Sequence, residues 1–261
     1  MKKFKYIFLL AALFALGACQ RSQEERMAVL KVYNWADYID EDVLAEFPEW
    51  YKEQTGEDIE VIYQTFDINE VMLTKIERGH EDFDVVCPSE YIIDRMLTND
   101  MLLPIPRDFG NTPDYISLVS PFFVEQMAKF DQAGKRANDY AVGYMWGTVG
   151  LIYNPKYISD EEAVTWDVLA NPAYKGKVLM KDAYRDVYSS FLISLNEEKI
   201  ASGEKSLENI TFDVSDESVK MVENYLNSFK ESVAGWEADF GKEQMTKELA
   251  WINLSWSGDA Q

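Results

Sequence analysis

Apolar and polar positions alternate in Val29-Leu30-Lys31-Val32-Tyr33-Asn34, and the β-branched content predicts a strand. Asp42 to Thr55 changes to helical spacing, with Val43, Leu44, Phe47, Trp50 and Tyr51 on one stripe and Gly56 as its stop. Pro48 falls inside that stripe and predicts a kink or a division. Ile59 to Tyr63 predicts a second strand. Asn69 offers a cap for a helix carrying Val71, Met72, Leu73 and Ile76 that ends near Gly79. Phe83 to Cys87 reads as a short apolar strand, and Glu90 to Leu97 as a helix. This alternation predicts a parallel sheet with helices on its faces. Ligands of such sheets bind beyond the carboxyl ends of the strands. Trp35, Asp37 and Tyr38 follow the first strand, and Pro88, Ser89 and Tyr91 follow the third, so both groups fall at one edge.

The remainder repeats the pattern more loosely. Tyr140 to Asn154 is β-like and interrupted by Gly143, Gly147 and Gly150, as suits a strand crossing between lobes, so a boundary is placed near residue 145. Thr165 to Ala170 predicts a short helix and Lys177 to Met180 a strand leading into Asp182 to Asp186. Helices follow over Val187 to Leu195, Asp216 to Phe229 and Glu243 to Leu249, and Trp251 to Trp256 closes with a strand. Residues 196–240 are otherwise vague.

The first residues are of another kind. Lys2, Lys3 and Lys5 precede the eleven apolar residues Tyr6 to Leu16, a signal-like stretch well short of the ~20 that span a bilayer. Leu16-Gly17-Ala18-Cys19 resembles the bacterial lipobox, which implies a lipid on Cys19 holding the chain to a membrane. The expected organisation is a signal peptide over 1–18, a tether over 19–28, an N-terminal α/β lobe over 29–144 and a C-terminal α/β lobe over 145–261. An ordinary signal with an incidental Cys is the alternative.

Charge narrows the partners. The chain carries 46 Asp+Glu against 25 Lys+Arg, a formal net charge of −21. Such a chain repels a phosphate backbone, so no nucleic-acid partner is expected. One His provides no His-rich metal cluster, and two Cys provide no disulfide framework, so neither metal nor cofactor is expected. His80 reads as a surface residue in a polar turn, and Cys87 as a small apolar residue beside Val85 and Val86.

Aromatics and carboxylates gather at the predicted strand ends: Trp35, Asp37, Tyr38, Ser89, Tyr91, Asp186, Trp256 and Asp259, with Arg185 the one cation expected among them. A carboxylate ligand would call for a cationic clamp. An aliphatic diamine calls for the reverse, a carboxylate for each ammonium and flat apolar walls for the methylene stem. Other roles stay open. The two Trp residues can be core or interface aromatics, Ser89 can cap the next helix, Asp186 can pair with Arg185, and Asp37, Asp182 and Asp259 can be solvated loop acids.

Val32 to Tyr38 resembles the opening strand and loop of the spermidine/putrescine-binding components of ABC transporters. So do Phe83 to Tyr91, Tyr144 to Thr148, Thr165 to Leu169 with Tyr174 to Val178, Asp182 to Val187, and Trp256 to Asp259, in the family's order and spacing. The resemblance implies a type II periplasmic-binding-protein fold, α/β throughout, with two lobes and a ligand cleft between them that closes on a polyamine. It further implies a monomer, no enzyme, that delivers its polyamine to an ABC transporter permease from the outer side of the membrane. In that scheme Trp35 and Trp256 sandwich the methylene chain, Tyr38 and Tyr91 line the wall, Ser89 offers a hydroxyl, and Asp186 holds one ammonium. Asp37 and Asp259 are similar to putrescine-preferring members. Ala183 departs from the acidic residue of spermidine binders, with Asp182 one position earlier.

Family members continue for about another hundred residues. The resemblance therefore implies that the C-terminal part of the fold is missing here, leaving unpaired sheet edges, low stability and weak binding. Competing readings are another cargo such as an amino acid, sugar or ferric ion, a fragment without binding activity, and a glycan-active enzyme using Asp182 and Asp186.

Overall fold

The computed structural model describes residues 26–79, 81–106, 115–131 and 134–260. The signal-like segment, Cys19, most of the tether and His80 lie outside them. The chain divides between Tyr144 and Met145 into two compact units. Among the described residues no helix is long and apolar enough to cross a membrane.

In the first unit, β1 (Val29–Trp35) lies between β2 (Glu60–Phe66) and β3 (Val85–Val86), and both neighbours run parallel to it. The register sets Trp35 beside Phe66 and Tyr33 beside Val86. Helix α1 (Glu41–Thr55) opens where the Asp40 side chain accepts from the Asp42 N–H at 3.0 Å. It closes at Gly56, whose φ of +78° admits a left-handed turn and whose N–H donates to the Lys52 carbonyl at 2.8 Å. Pro48 does not divide this helix. None of its residues is buried, so the carbonyl that loses its donor keeps water within reach.

Helices α2 (Asn69–Gly79) and α3 (Glu90–Thr98) supply Met72, Leu73, Ile92 and Met96 to a core shared with Tyr33 and Phe66. Helix α4 (Pro121–Ala128) brings Met127 to a smaller cluster with Leu97 and Ala137. The expected cap at Asn69 is not made. Its buried side chain turns instead to Ser89 and Tyr91.

In the second unit the long β-like run shrinks to β4 (Val149–Tyr153), because the residues before it have no regular structure and Val142, Tyr144, Met145 and Trp146 are exposed. The sheet order is β4-β7-β5-β6, formed with β5 (Val178–Lys181), β6 (Val233–Glu237) and β7 (Ile252–Trp256). β5 runs parallel to β6 and β7, while β4 is antiparallel to β7. All four residues of β5 are buried, as a central parallel strand requires.

Over the sheet pack α5 (Tyr184–Leu195) and α8 (Asp216–Phe229), whose Val187, Phe191, Leu192, Val222 and Phe229 share one core with Val178, Met180, Ile252 and Leu254. Each such side chain contributes about 1.5–3 kcal/mol. Short helices α6 (Glu197–Ala201) and α7 (Leu207–Thr211) occupy the stretch whose pattern was vague, and α9 (Gly241–Thr246) precedes β7. The residues expected as a helix over 165–170 form a 3-10 turn, Trp166–Ala170.

Candidate functional site

Parallel strands deliver their carboxyl ends to one edge, and each unit can be built up from that edge. In the first unit β1 ends in Trp35, whose ring lies 4.6 Å from that of Phe66 and whose carbonyl accepts from the Tyr63 hydroxyl at 3.3 Å. The loop then turns through Asp37, which is exposed and holds a φ of +58°, a conformation that Asp tolerates better than bulkier residues. The Tyr38 carbonyl, next in line, accepts from the Tyr144 hydroxyl at 2.5 Å and from Asn34 Nδ2 at 3.4 Å. Asn34, which is buried, and Tyr144, which is exposed, thus pin the loop that presents Trp35, Asp37 and Tyr38.

Beyond β2 and β3, Asn69 is the organiser. Its Nδ2 donates to Ser89 Oγ at 2.9 Å and to the Tyr91 hydroxyl at 3.1 Å, and its Oδ1 accepts from the Ser89 N–H at 3.2 Å. The Tyr91 hydroxyl in turn donates to Glu70 Oε1 at 2.9 Å. Ser89 precedes α3 without capping it. Asn69 and Glu70 carry no motif of their own, and their part here was not foreseen. Nearby Cys87 is a free thiol that burial pushes up to about 11, so it stays protonated near neutrality.

In the second unit β5, β6 and β7 end in Lys181, Glu237 and Trp256. Trp256 donates its indole N–H to Asp186 Oδ2 at 2.7 Å, Asp186 standing in the first turn of α5. The Lys181 ammonium lies 4.0 Å over the Trp256 ring and 3.2 Å from Asp259 Oδ2, and it donates to the Ala238 carbonyl. Glu237 Oε1 is 3.6 Å away, and the side chains of Lys181 and Glu237 are each only 1 % exposed. The expectation that Arg185 is the one cation among these residues is therefore wrong. Lys181 stands among them as well, and its place at the end of an apolar strand was the available signal.

The carboxylates around this ammonium are held in turn. Glu237 accepts from Asn253 Nδ2 at 3.1 Å and from the Gly241 N–H at 3.0 Å. A Cβ at Gly241 would stand 2.3 Å from Asn253 Nδ2 and 2.6 Å from Glu237 Cδ, so the close approach requires glycine. Asp259 accepts from Ser255 Oγ at 2.7 Å and has Lys242 Nζ 3.7 Å away. Asp182 is exposed, giving no apolar pocket for a general acid, and Ala183 stands just before α5. Among the described residues no His, Cys, Asp and Glu cluster is placed to hold a metal ion.

Comparisons with known proteins match this arrangement of strands and loops. Residues 34–186 fit one model of the bacterial extracellular solute-binding proteins, and residues 114–259 fit a second with the same description. The spermidine/putrescine-binding periplasmic protein of Escherichia coli K12 is 26% identical over 266 residues, covering 100% of this chain and 67% of that protein. The putrescine-binding periplasmic protein PotF of the same organism is 32% identical over 201 residues, covering 73% of this chain and 50% of PotF. The crystal structure of the spermidine/putrescine ABC transporter substrate-binding protein PotD from Streptococcus pneumoniae, in complex with calcium and HEPES, superposes with a TM-score of 0.60 at 32% identity, over 89% of this chain and 63% of that one.

The chain thus spans between half and two thirds of these relatives. Its two α/β units have the fold of the type II periplasmic binding proteins. With both models together reaching from the end of β1 to Asp259, this chain belongs to the bacterial extracellular solute-binding proteins.

Proposed function

We propose that the protein captures a polyamine, putrescine in preference to spermidine, outside the cytoplasm and hands it to the permease of an ABC transporter, binding without turnover. The observation that carries this reading is the setting of Trp256. The protein's own Lys181 ammonium lies over its face, Asp186 accepts its N–H, and Asp259 pairs with that ammonium. This is the chemistry that recognises an alkylammonium. Trp35, Tyr38, Tyr91, Ser89 and Asp37 add flat walls, a hydroxyl and a further carboxylate in the first unit. The relatives' names, spermidine/putrescine-binding and putrescine-binding, support the same ligand class.

A carboxylate-bearing cargo would need a cation to hold it. The ammonium of Lys181 is instead committed to Asp259, Glu237 and the Ala238 carbonyl. Two charge-assisted contacts and an apolar stem support binding near the micromolar level, about 8 kcal/mol. We further propose that Cys19 carries a lipid that holds the protein to a membrane, that residues 29–144 and 145–261 act as its two lobes, and that it works as a monomer.

A thermal-shift panel tests the ligand class. Putrescine and spermidine should raise Tm, whereas glutamate, maltose and ferric citrate should not. A shift confined to one of the last three would replace the polyamine reading.

A further inference from the structure

The ammonium of Lys181 has a complete set of partners: a carbonyl at Ala238, carboxylates at Asp259 and Glu237, and the Trp256 ring. It arrives from below, through a strand whose other residues are apolar and buried. Two residues assigned to ligand recognition in the proposed function, Trp256 and Asp259, are the ones it occupies. We propose, resting on that polyamine reading, that Lys181 is a tethered ammonium filling a cation subsite formed by Trp256 and Asp259. It thereby selects against polyamines with a third ammonium.

The register makes this placement a property of the sheet. Lys181 pairs with Glu237 across β5 and β6, and Trp256 closes the strand on the other side of β5. The lysine is thus fixed where three carboxyl ends meet. Its stem is fully buried, so the ammonium cannot swing away into water to admit a second cation. A ligand ammonium aimed at Asp259 meets a like charge already in place, which is a repulsive device for specificity.

Lys181→Ala removes three methylenes and the ammonium, the outline of propylammonium. In the full chain, propylammonium should raise the Tm of Lys181→Ala and leave wild type unchanged. Calorimetric titration should show the spermidine-to-putrescine affinity ratio rising about tenfold in the variant, the worth of one recovered charge-assisted contact. Because Lys181→Ala strands a buried Glu237, Lys181→Met combined with Glu237→Gln serves as the second variant. It keeps the stem volume and the amide contact to Asn253, and it should show the same rise in ratio.

An unchanged ratio in both variants, with wild type binding putrescine, overturns this inference alone. Failure of both variants to fold makes Lys181 a structural ion-pair residue and also overturns it. Wild type without affinity for any polyamine overturns the functional reading, and this inference falls with it.

Discussion

Trp256 donates its indole N–H to Asp186 at 2.7 Å, so the proposed aromatic wall and the proposed anionic end of the second unit are one hydrogen-bonded piece. The indole plane can turn only by giving up a charge-assisted bond of about 1.5–3 kcal/mol. Asp186→Asn keeps an acceptor for the indole and removes the charge. Its putrescine affinity should fall roughly 10- to 100-fold, with Tm nearly unchanged. Asp186→Ala should lose the same affinity and about 1–3 kcal/mol of stability as well, read as a shift in urea midpoint.

Asn69 has the corresponding place in the first unit, since one side chain fixes both Ser89 and Tyr91. Asn69→Ala removes two donors and one acceptor from a buried position. A stability loss of about 1–3 kcal/mol is expected in urea denaturation. Putrescine affinity should weaken several-fold because Ser89 and Tyr91 are released together, while Glu70→Gln, which keeps an acceptor for Tyr91, should change neither quantity appreciably.

Acid sensitivity follows from Asp213, just before α8. The Ser218 hydroxyl at 2.7 Å and the Ser215 N–H at 2.9 Å hold its carboxyl at about 2, below the ordinary 3.8. A depressed carboxyl stabilises the fold above its unfolded value and loses that contribution as pH falls through the folded one. Urea midpoints should therefore drop between pH 4 and pH 2, and Asp213→Asn should flatten that part of the profile. A profile identical to wild type would refute the assignment.

The Cys87 thiol offers a probe of the first unit's integrity. Raised from the ordinary 9.0 to about 11, it carries about a hundredfold less thiolate than an exposed thiol at pH 8. In a Cys19→Ser background, reaction with an aromatic disulfide should be about a hundredfold slower in buffer than in urea. Equal rates would mean that β3 and its flanks are open.

The parts of this molecule that follow from local pattern were legible in the chain. Val29 to Asn34 and Ile59 to Tyr63 announce strands by β-branched content, and Gly56 announces a helix stop as a glycine directly after the apolar stripe. β6 was hidden because Ala234 and Trp236 point outward and Gly235 weakens the pattern of this edge strand. Pro48 misled because a solvated helix bears a missing donor better than a buried one.

Aromatics and acids at strand ends were visible as types. Their partners were not. A lysine closing an apolar strand reads the same whether it reaches water or a buried carboxylate, and only the register of β5 against β6 decides between them. Asn69 was likewise read for its nearest backbone, whereas its partners lie some twenty residues along the chain.

The central claim is that carboxylates and indole rings at the strand ends recognise an alkyl diamine. Calorimetric titration of putrescine into the wild-type chain and into Asp186→Asn tests it most directly. A saturable isotherm near micromolar Kd for wild type, lost or weakened at least tenfold in the variant, is the predicted result. Equal affinities in the two proteins, or no heat from wild type with putrescine or spermidine, would contradict it.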